Sequence, residues 1–325
     1  MTPTPDPSRP SVRRLLPVAA AACALLWAAG AESAAPAESS EPAPLAARSL
    51  LLDVARAGDT LVAVGDRGHV VLSSDQGRTW TQVIVPTRAM LTGVCFPDAE
   101  HGWAVGHDGV ILATENGGRT WTRQDDGTGL DVVYLDVLFL DPRRGFAVGA
   151  YGRFVATEDG GRTWTPRRPG EDEVHFNRIT AGPDGSLFLA GESGTALVSR
   201  DGGVRWAPLN VPYDGSLFGI LPLENGHLVA YGLRGHILLS DDNGRVWQPH
   251  NSDLRVLIMA GTRLGADRVV LGGQGGNLFV RRDPGGEFAP WKPAALGASV
   301  AELLDPGDGS LVVVGEGGAL RLEVP

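Results

Sequence analysis

The chain has 325 residues, 43% of them hydrophobic, with 38 acidic against 28 basic side chains and a net charge of −10. That balance argues against nucleic-acid binding, which needs a basic surface to neutralise phosphates. Two cysteines in this length exclude a disulfide-stapled mini-domain, so stability has to come from a large apolar core.

Residues 1–31 read as a secretory signal peptide. Arg13 and Arg14 precede an apolar run from Leu15 to Ala29, and small residues at Ala29 and Ala31 predict cleavage after Ala31. The run is too short for a comfortable transmembrane helix. No Ser precedes the arginine pair and no Phe follows it, which disfavours a twin-arginine signal. Cys23 lies inside the apolar core, which disfavours a lipoprotein. Soluble export to the periplasm or an equivalent compartment is expected, with no transmembrane segment in the mature chain. Cleavage removes Asp6, Arg9, Arg13 and Arg14, leaving 37 acids against 25 bases and a net of −12. The remaining cysteine, Cys95, is expected to be a small buried hydrophobe.

From residue 48 onward the sequence repeats itself. The phrase SSDQGRTW (73–80) returns as TENGGRTW (114–121), TEDGGRTW (157–164), SRDGGVRW (199–206), SDDNGRVW (240–247) and, degraded, RRDPGGEF (281–288). The closing aromatics Trp80, Trp121, Trp164, Trp206, Trp247 and Phe288 are 41, 43, 42, 41 and 41 residues apart. A Gly-x-x-Gly marker runs ahead of each box and once more at the end, its first glycines being Gly65, Gly106, Gly149, Gly191, Gly232, Gly273 and Gly315. Each unit holds four short runs rich in Val, Ile, Thr and Trp separated by Gly/Asp/Asn turns, which is a four-stranded antiparallel meander. Such a sheet cannot bury both faces alone, so neighbours must stack. Units of roughly 40–45 residues with four strands predict a β-propeller, here an all-β, seven-bladed one over residues 48–325. The last repeat lacks a fourth strand, and residues 32–47 form a lead-in whose Ala43–Ala47 segment is expected to close the ring by pairing with the last blade.

The box has a structural reading. Asp75, Asn116, Asp159, Asp201 and Asp242 can accept hydrogen bonds from their own turns. The second glycine of each phrase can take a positive φ, and Trp80, Trp121, Trp164, Trp206 and Trp247 can seat between adjacent blades, each contributing roughly 2–3 kcal/mol by burial. Four equivalent carboxylates and one carboxamide are not what one active site needs, so the boxes are assigned to folding.

Turns of an up-and-down blade alternate between the two faces of the ring, so boxes share one face and Gly-x-x-Gly tips share the other with the blade-to-blade connectors. The tips vary where the boxes do not, and variation on a rigid scaffold is where function tends to sit. The partner-binding candidates on that face are Arg67, Arg88, Tyr151, Arg153, Arg167, Arg168, Tyr213, Arg234 and Arg255, since Arg and Tyr are favoured interface anchors. Scattered histidines and the lack of calcium, phosphate-loop and nucleophile-elbow motifs point to no metal, no cofactor and no catalytic residue. LGGQGGN (271–277) mimics a dinucleotide loop only in composition.

GWAVGHDGVILATENGGRTW and GFAVGAYGRFVATEDGGRTW resemble the Ycf48-like family, named for the photosystem II assembly factor, within the wider Asp-box (BNR) repeat class. The resemblance spans residues 48–325. It implies an exported, non-catalytic scaffold that docks on membrane protein complexes during assembly, in some bacterial relatives beside transporters of the resistance-nodulation-division type, through an arginine-rich surface; separately from the resemblance, a monomer is expected. Two alternatives stand beside it: a glycan- or peptide-binding module, and a sialidase-like glycoside hydrolase. The hydrolase lacks support because the repeats carry no insertion to build a cleft, and FNRI (176–179) matches the sialidase arginine motif poorly. Asp53 and Asp136, at matching positions of two inner strands, are explained by the repeat.

Overall fold

Within each repeat, β-branched and aliphatic residues between glycine turns fold as the pattern demands. The second repeat is representative: Leu91–Cys95, Gly102–Gly106, Ile111–Thr114 and Thr122–Gln124 pair in that order as an antiparallel sheet. The second strands, such as Gly102–Gly106 and Leu187–Gly191, are buried along their whole length. They lie between two neighbouring sheets, which is why they read as continuous apolar runs. The computed structural model describes residues 38–170, 173–251, 254–265, 268–283 and 285–325; the expected signal peptide lies outside them.

Six four-stranded sheets and one three-stranded sheet make seven blades. Their innermost strands are Leu51–Ala57, Leu91–Cys95, Tyr134–Phe139, Phe176–Ala181, Leu217–Pro222, Ile258–Leu264 and Val300–Leu304. Each packs against the innermost strand of the next blade, and Val300–Leu304 packs back on Leu51–Ala57, so the ring is closed. Among the described residues no helix is long and apolar enough to cross a membrane.

The boxes are built as expected. In the first, Asp75 Oδ1 accepts from the backbone N–H of Arg78 and Thr79 at 3.0 and 2.9 Å, and Ser73 Oγ accepts from Gly77 N–H at 2.8 Å. Gly77 has φ +83°, and the equivalent Gly203 has +88°, a region that a side chain resists. Every box aromatic then packs on the preceding blade. Trp121 joins Val62, Val70 and Leu72 of blade 1, Trp247 joins Phe188 and Val198 of blade 4, and Phe288 joins Val229 and Ile237 of blade 5. Trp80 of blade 1 packs with Val314 and Ala319 of blade 7, which fastens the closing seam.

The first glycine of each tip is required by space. A Cβ on Gly106 would lie 2.0 Å from the Met90 carbonyl oxygen, and one on Gly273 1.8 Å from that of Leu257.

The expected ring-closing strand at Ala43–Ala47 does not form. The last blade has three strands, Val300–Leu304, Ser310–Gly315 and Gly318–Glu323, and the lead-in makes successive turns ending in a 3-10 turn at Ala46–Arg48. Pro42 and Pro44 explain the failure, because a strand that lacks every second N–H cannot donate along one edge. The segment wedges instead between blades 7 and 1, with Ala46 buried beside Val71 and Ala319. It is also tied to blade 1, where Ser40 N–H donates to the Val85 carbonyl and Ala43 N–H to Gln82 Oε1.

Candidate functional site

The tips and connectors do share one face. Gly109 N–H donates to the Val132 carbonyl, Gly152 to Val174 and Gly194 to Gly215, so the tips of blades 2, 3 and 4 are tied to the connectors that follow them. The residue before the second tip glycine is held left-handed, with φ of 54–57° at Arg67, Asp108, Tyr151, Ser193 and Arg234. Non-glycine residues rarely adopt that conformation. Here it throws the side chain outward, leaving Tyr151 77% exposed.

The nine expected partner-binding residues all lie on this face, but in separate groups. Tyr151, Arg153, Arg167 and Arg168 line one cleft of about 460 Å3 between blades 3 and 4, together with Glu173 and Phe176. Tyr151 stands edge-on to His175, which faces Glu192 at 3.5 Å. Arg167 and Arg168 are exposed and make no ion pair with a described residue, so their charge is available to a ligand. Arg153 is committed to the fold: its guanidinium donates to Asp126 Oδ2 at 3.0 Å and to the Tyr134 hydroxyl at 3.3 Å. Burial opposes ionisation of Asp126, yet hydrogen bonds from Thr128, Tyr134 and Arg153 hold its carboxyl below the usual range. Tyr213 and Arg234 form a second group, the Tyr213 hydroxyl donating to the Leu233 carbonyl at 3.2 Å. Arg67 and Arg88 belong to blade 1 and its following connector, and Arg88 is neutralised by Glu38 and Glu41 of the lead-in. Arg255 is exposed on the connector from blade 5 to blade 6.

A second polar cluster lies on the ring axis. One position at the bulge of each innermost strand is occupied in turn by Asp53, Gly93, Asp136, Arg178, Gly219, Ala260 and Glu302. Asp53 accepts from Val54 N–H on its own strand and from Val94 N–H on the next blade, at 2.8 and 2.7 Å. Asp136 does the same with Val137 and Ile179, at 2.8 and 2.9 Å. Arg178 reaches from blade 4 to Glu302 on blade 7, whose other oxygen accepts from Leu303 N–H at 2.8 Å. Both oxygens of all three carboxylates are thus engaged by the fold. Cys95 lies close by, its thiol pushed up to about 12 by burial, so it is no thiolate nucleophile.

Burial and the neighbouring Glu302 push Asp53 up to about 8, against Arg178, and burial pushes Asp136 up to about 6. A carboxyl that ionises near 4 unfolded and near 8 folded keeps a proton in the folded state that the unfolded chain has released. Its stabilisation is therefore complete below pH 4 and is lost as pH rises to about 8. The box carboxylates Asp75 and Asp201, lowered to about 2 by hydrogen bonds from Thr79 and Arg205, act in the opposite sense, but below pH 4. Melting curves between pH 5 and pH 8.5 should therefore show Tm falling with pH, and Asp53→Asn should flatten that slope. An unchanged slope in the variant would overturn the assignment.

The comparisons with known proteins meet this geometry. The family model described as Photosynthesis system II assembly factor YCF48 matches residues 72–132 and 125–323. The chain belongs to that family. A solved structure titled "YCF48 bound to D1 peptide" shares 20% identity at a TM-score of 0.71, covering 90% of this chain and 98% of its own. YCF48 from Cyanidioschyzon merolae shares 17% at 0.70, with coverage of 87% and 97%. The WD40 β-propeller domain of Doa1 reaches 0.67 at 14% identity, covering 88% and 95%, so the architecture extends beyond the YCF48 family. At such identities the structures speak for the fold alone. Among curated proteins, nothing matches the chain.

Proposed function

We propose that this member of the YCF48 family is an exported, non-catalytic assembly or accessory factor whose tip face holds a protein segment of a membrane complex. One observation carries the reading: on that face Tyr151, Arg167 and Arg168 surround the cleft between blades 3 and 4, with the two arginines exposed. A planar guanidinium pair beside an aromatic suits carboxylates and backbone carbonyls of a peptide. The YCF48 solved with a D1 peptide supports the partner class. The export signal expected at residues 1–31 supports the compartment.

The test is crosslinked affinity purification of the tagged mature chain from detergent-solubilised membranes of its host, with bound proteins identified by mass spectrometry. A variant with Tyr151, Arg167 and Arg168 changed to Ala is compared with one altered on the box face, at Arg119 and Arg162. We expect one membrane complex, photosynthetic or transporter, retained by wild type and the box-face variant and reduced at least tenfold by the tip-face variant. Equal capture by both variants, or no membrane protein at all, would sink the reading.

A further inference from the structure

Six seams of the ring are filled by an aromatic from the box of the following blade. The seam between blades 6 and 7 has no box aromatic among the described residues, because blade 7 ends on its third strand. The ground on which such an aromatic would sit is nevertheless built. In the seam between blades 1 and 2, Trp121 packs with Val62, Val70, Leu72 and Val83. Counting from Gly65 and Gly273, the same repeat positions in blade 6 are Val270, Leu278, Val280 and Trp291. Leu278 pairs with Trp291 as Val70 pairs with Val83. All four belong to the apolar cluster of the seam between blades 6 and 7. Val280, Trp291 and Pro325 also line a cleft of about 360 Å3.

Across the seam, the strand that leads to Pro325 is a sheet edge. Gly318–Glu323 pairs only with Ser310–Gly315. The lead-in covers its start, where Ala47 approaches Gly318 closely. Beyond that point, from Leu320 to Glu323, no backbone hydrogen bond runs to a described residue outside the hairpin. Alternate residues of an edge strand turn their N–H and C=O outward. Leu320 and Leu322, meanwhile, join the blade 6 cluster.

We propose that this slot accepts an extended segment of a partner polypeptide as the fourth strand of blade 7, with one aromatic side chain of that segment seated on Val280 and Trp291. The chemistry of the occupant is read from the other six seams, where a Trp or Phe heads a short outer strand. Backbone bonds to the open edge would supply affinity and the aromatic would supply specificity, as in strand addition elsewhere. The slot lies three seams away from the tip-face cleft between blades 3 and 4 and is independent of it.

The probe is a fluorescein-labelled peptide of residues 114–124, TENGGRTWTRQ, which is the box and fourth strand of blade 2. Fluorescence anisotropy with the full chain should show saturable binding. Replacing the peptide's Trp by Ala, or N-methylating its strand amides, should each weaken binding at least tenfold, and Val280→Asp in the protein should do the same. Should Val280→Asp fail to fold, the peptide-side changes carry the test, together with a chain that has this segment joined after Pro325. That fusion should melt several degrees higher than its Trp→Ala counterpart. The proposal is overturned by no saturable binding, by binding that ignores the Trp, or by equal melting of the two fusions. A concentration-dependent dimer dissolved by the peptide would also overturn it, in favour of a second copy of this chain.

Discussion

Changing Arg178 to Ala should lower stability by about 3–5 kcal/mol, the usual cost of removing one partner from a buried ion pair. For a domain of this size that is on the order of 5–10 °C in Tm. The guanidinium is the positive group facing Glu302, Asp136 and Asp53. Burial alone would make it easier to deprotonate, but Glu302 first, with Asp136 and Asp53, holds it charged. Without it, Glu302 is left buried with no opposite charge beside it. The paired change Arg178→Met with Glu302→Gln should recover most of the loss, because the expense lies in the orphaned charge rather than in the missing attraction. Urea titration of the three proteins decides the matter. A single-variant loss under about 1 kcal/mol would show that solvent already screens the cluster.

Trp121→Ala should cost a comparable amount, about 3–5 kcal/mol, as the removal of a large buried aromatic does in most cores. Trp121 is 6% exposed, and its indole N–H donates to the Gly118 carbonyl at 2.9 Å. Its loss opens a void between blades 1 and 2 that Val62, Val70 and Leu72 cannot close without moving two sheets. Val246→Ala, in another box but 57% exposed, should change stability by less than about 0.5 kcal/mol. Equal melting temperatures for Trp121→Ala and the wild type would refute the stapling role of the box.

How far the sequence reached depended on sequence distance. Blade count, blade boundaries, the two faces and the positive φ at Gly77 and its equivalents were all legible, since each rests on residues within one repeat or on the spacing between repeats. The ring-closing strand was misread because it was placed by its position in the repeat, without regard to Pro42 and Pro44. The axial cluster was half seen. Asp53 and Asp136 stood out as equivalent, but Arg178 and Glu302 are 124 residues apart and meet only when the ring closes. Aligning the bulge position across all seven repeats would have exposed all four. Among the tip-face arginines, the sequence could not separate the exposed from the committed. Arg153 is claimed by Asp126, 27 residues away, and Arg88 by Glu38, 50 residues away.

The backward lean of the boxes, onto the blade already synthesised in every case but the first, bears on the order in which the molecule assembles. Five of the seams with a box aromatic join segments about one repeat apart, so each can form as soon as the next repeat follows. The seam held by Trp80 is different: Arg321 meets Gln76 across 245 residues and Arg56 meets Asp305 across 249. Loop-closure entropy makes a contact over that distance about 1.6 kcal/mol dearer than one over 41 residues. Blades should therefore accrete as a growing arc that becomes a ring in a single late step, and that same seam should be the first to part when the protein begins to unfold.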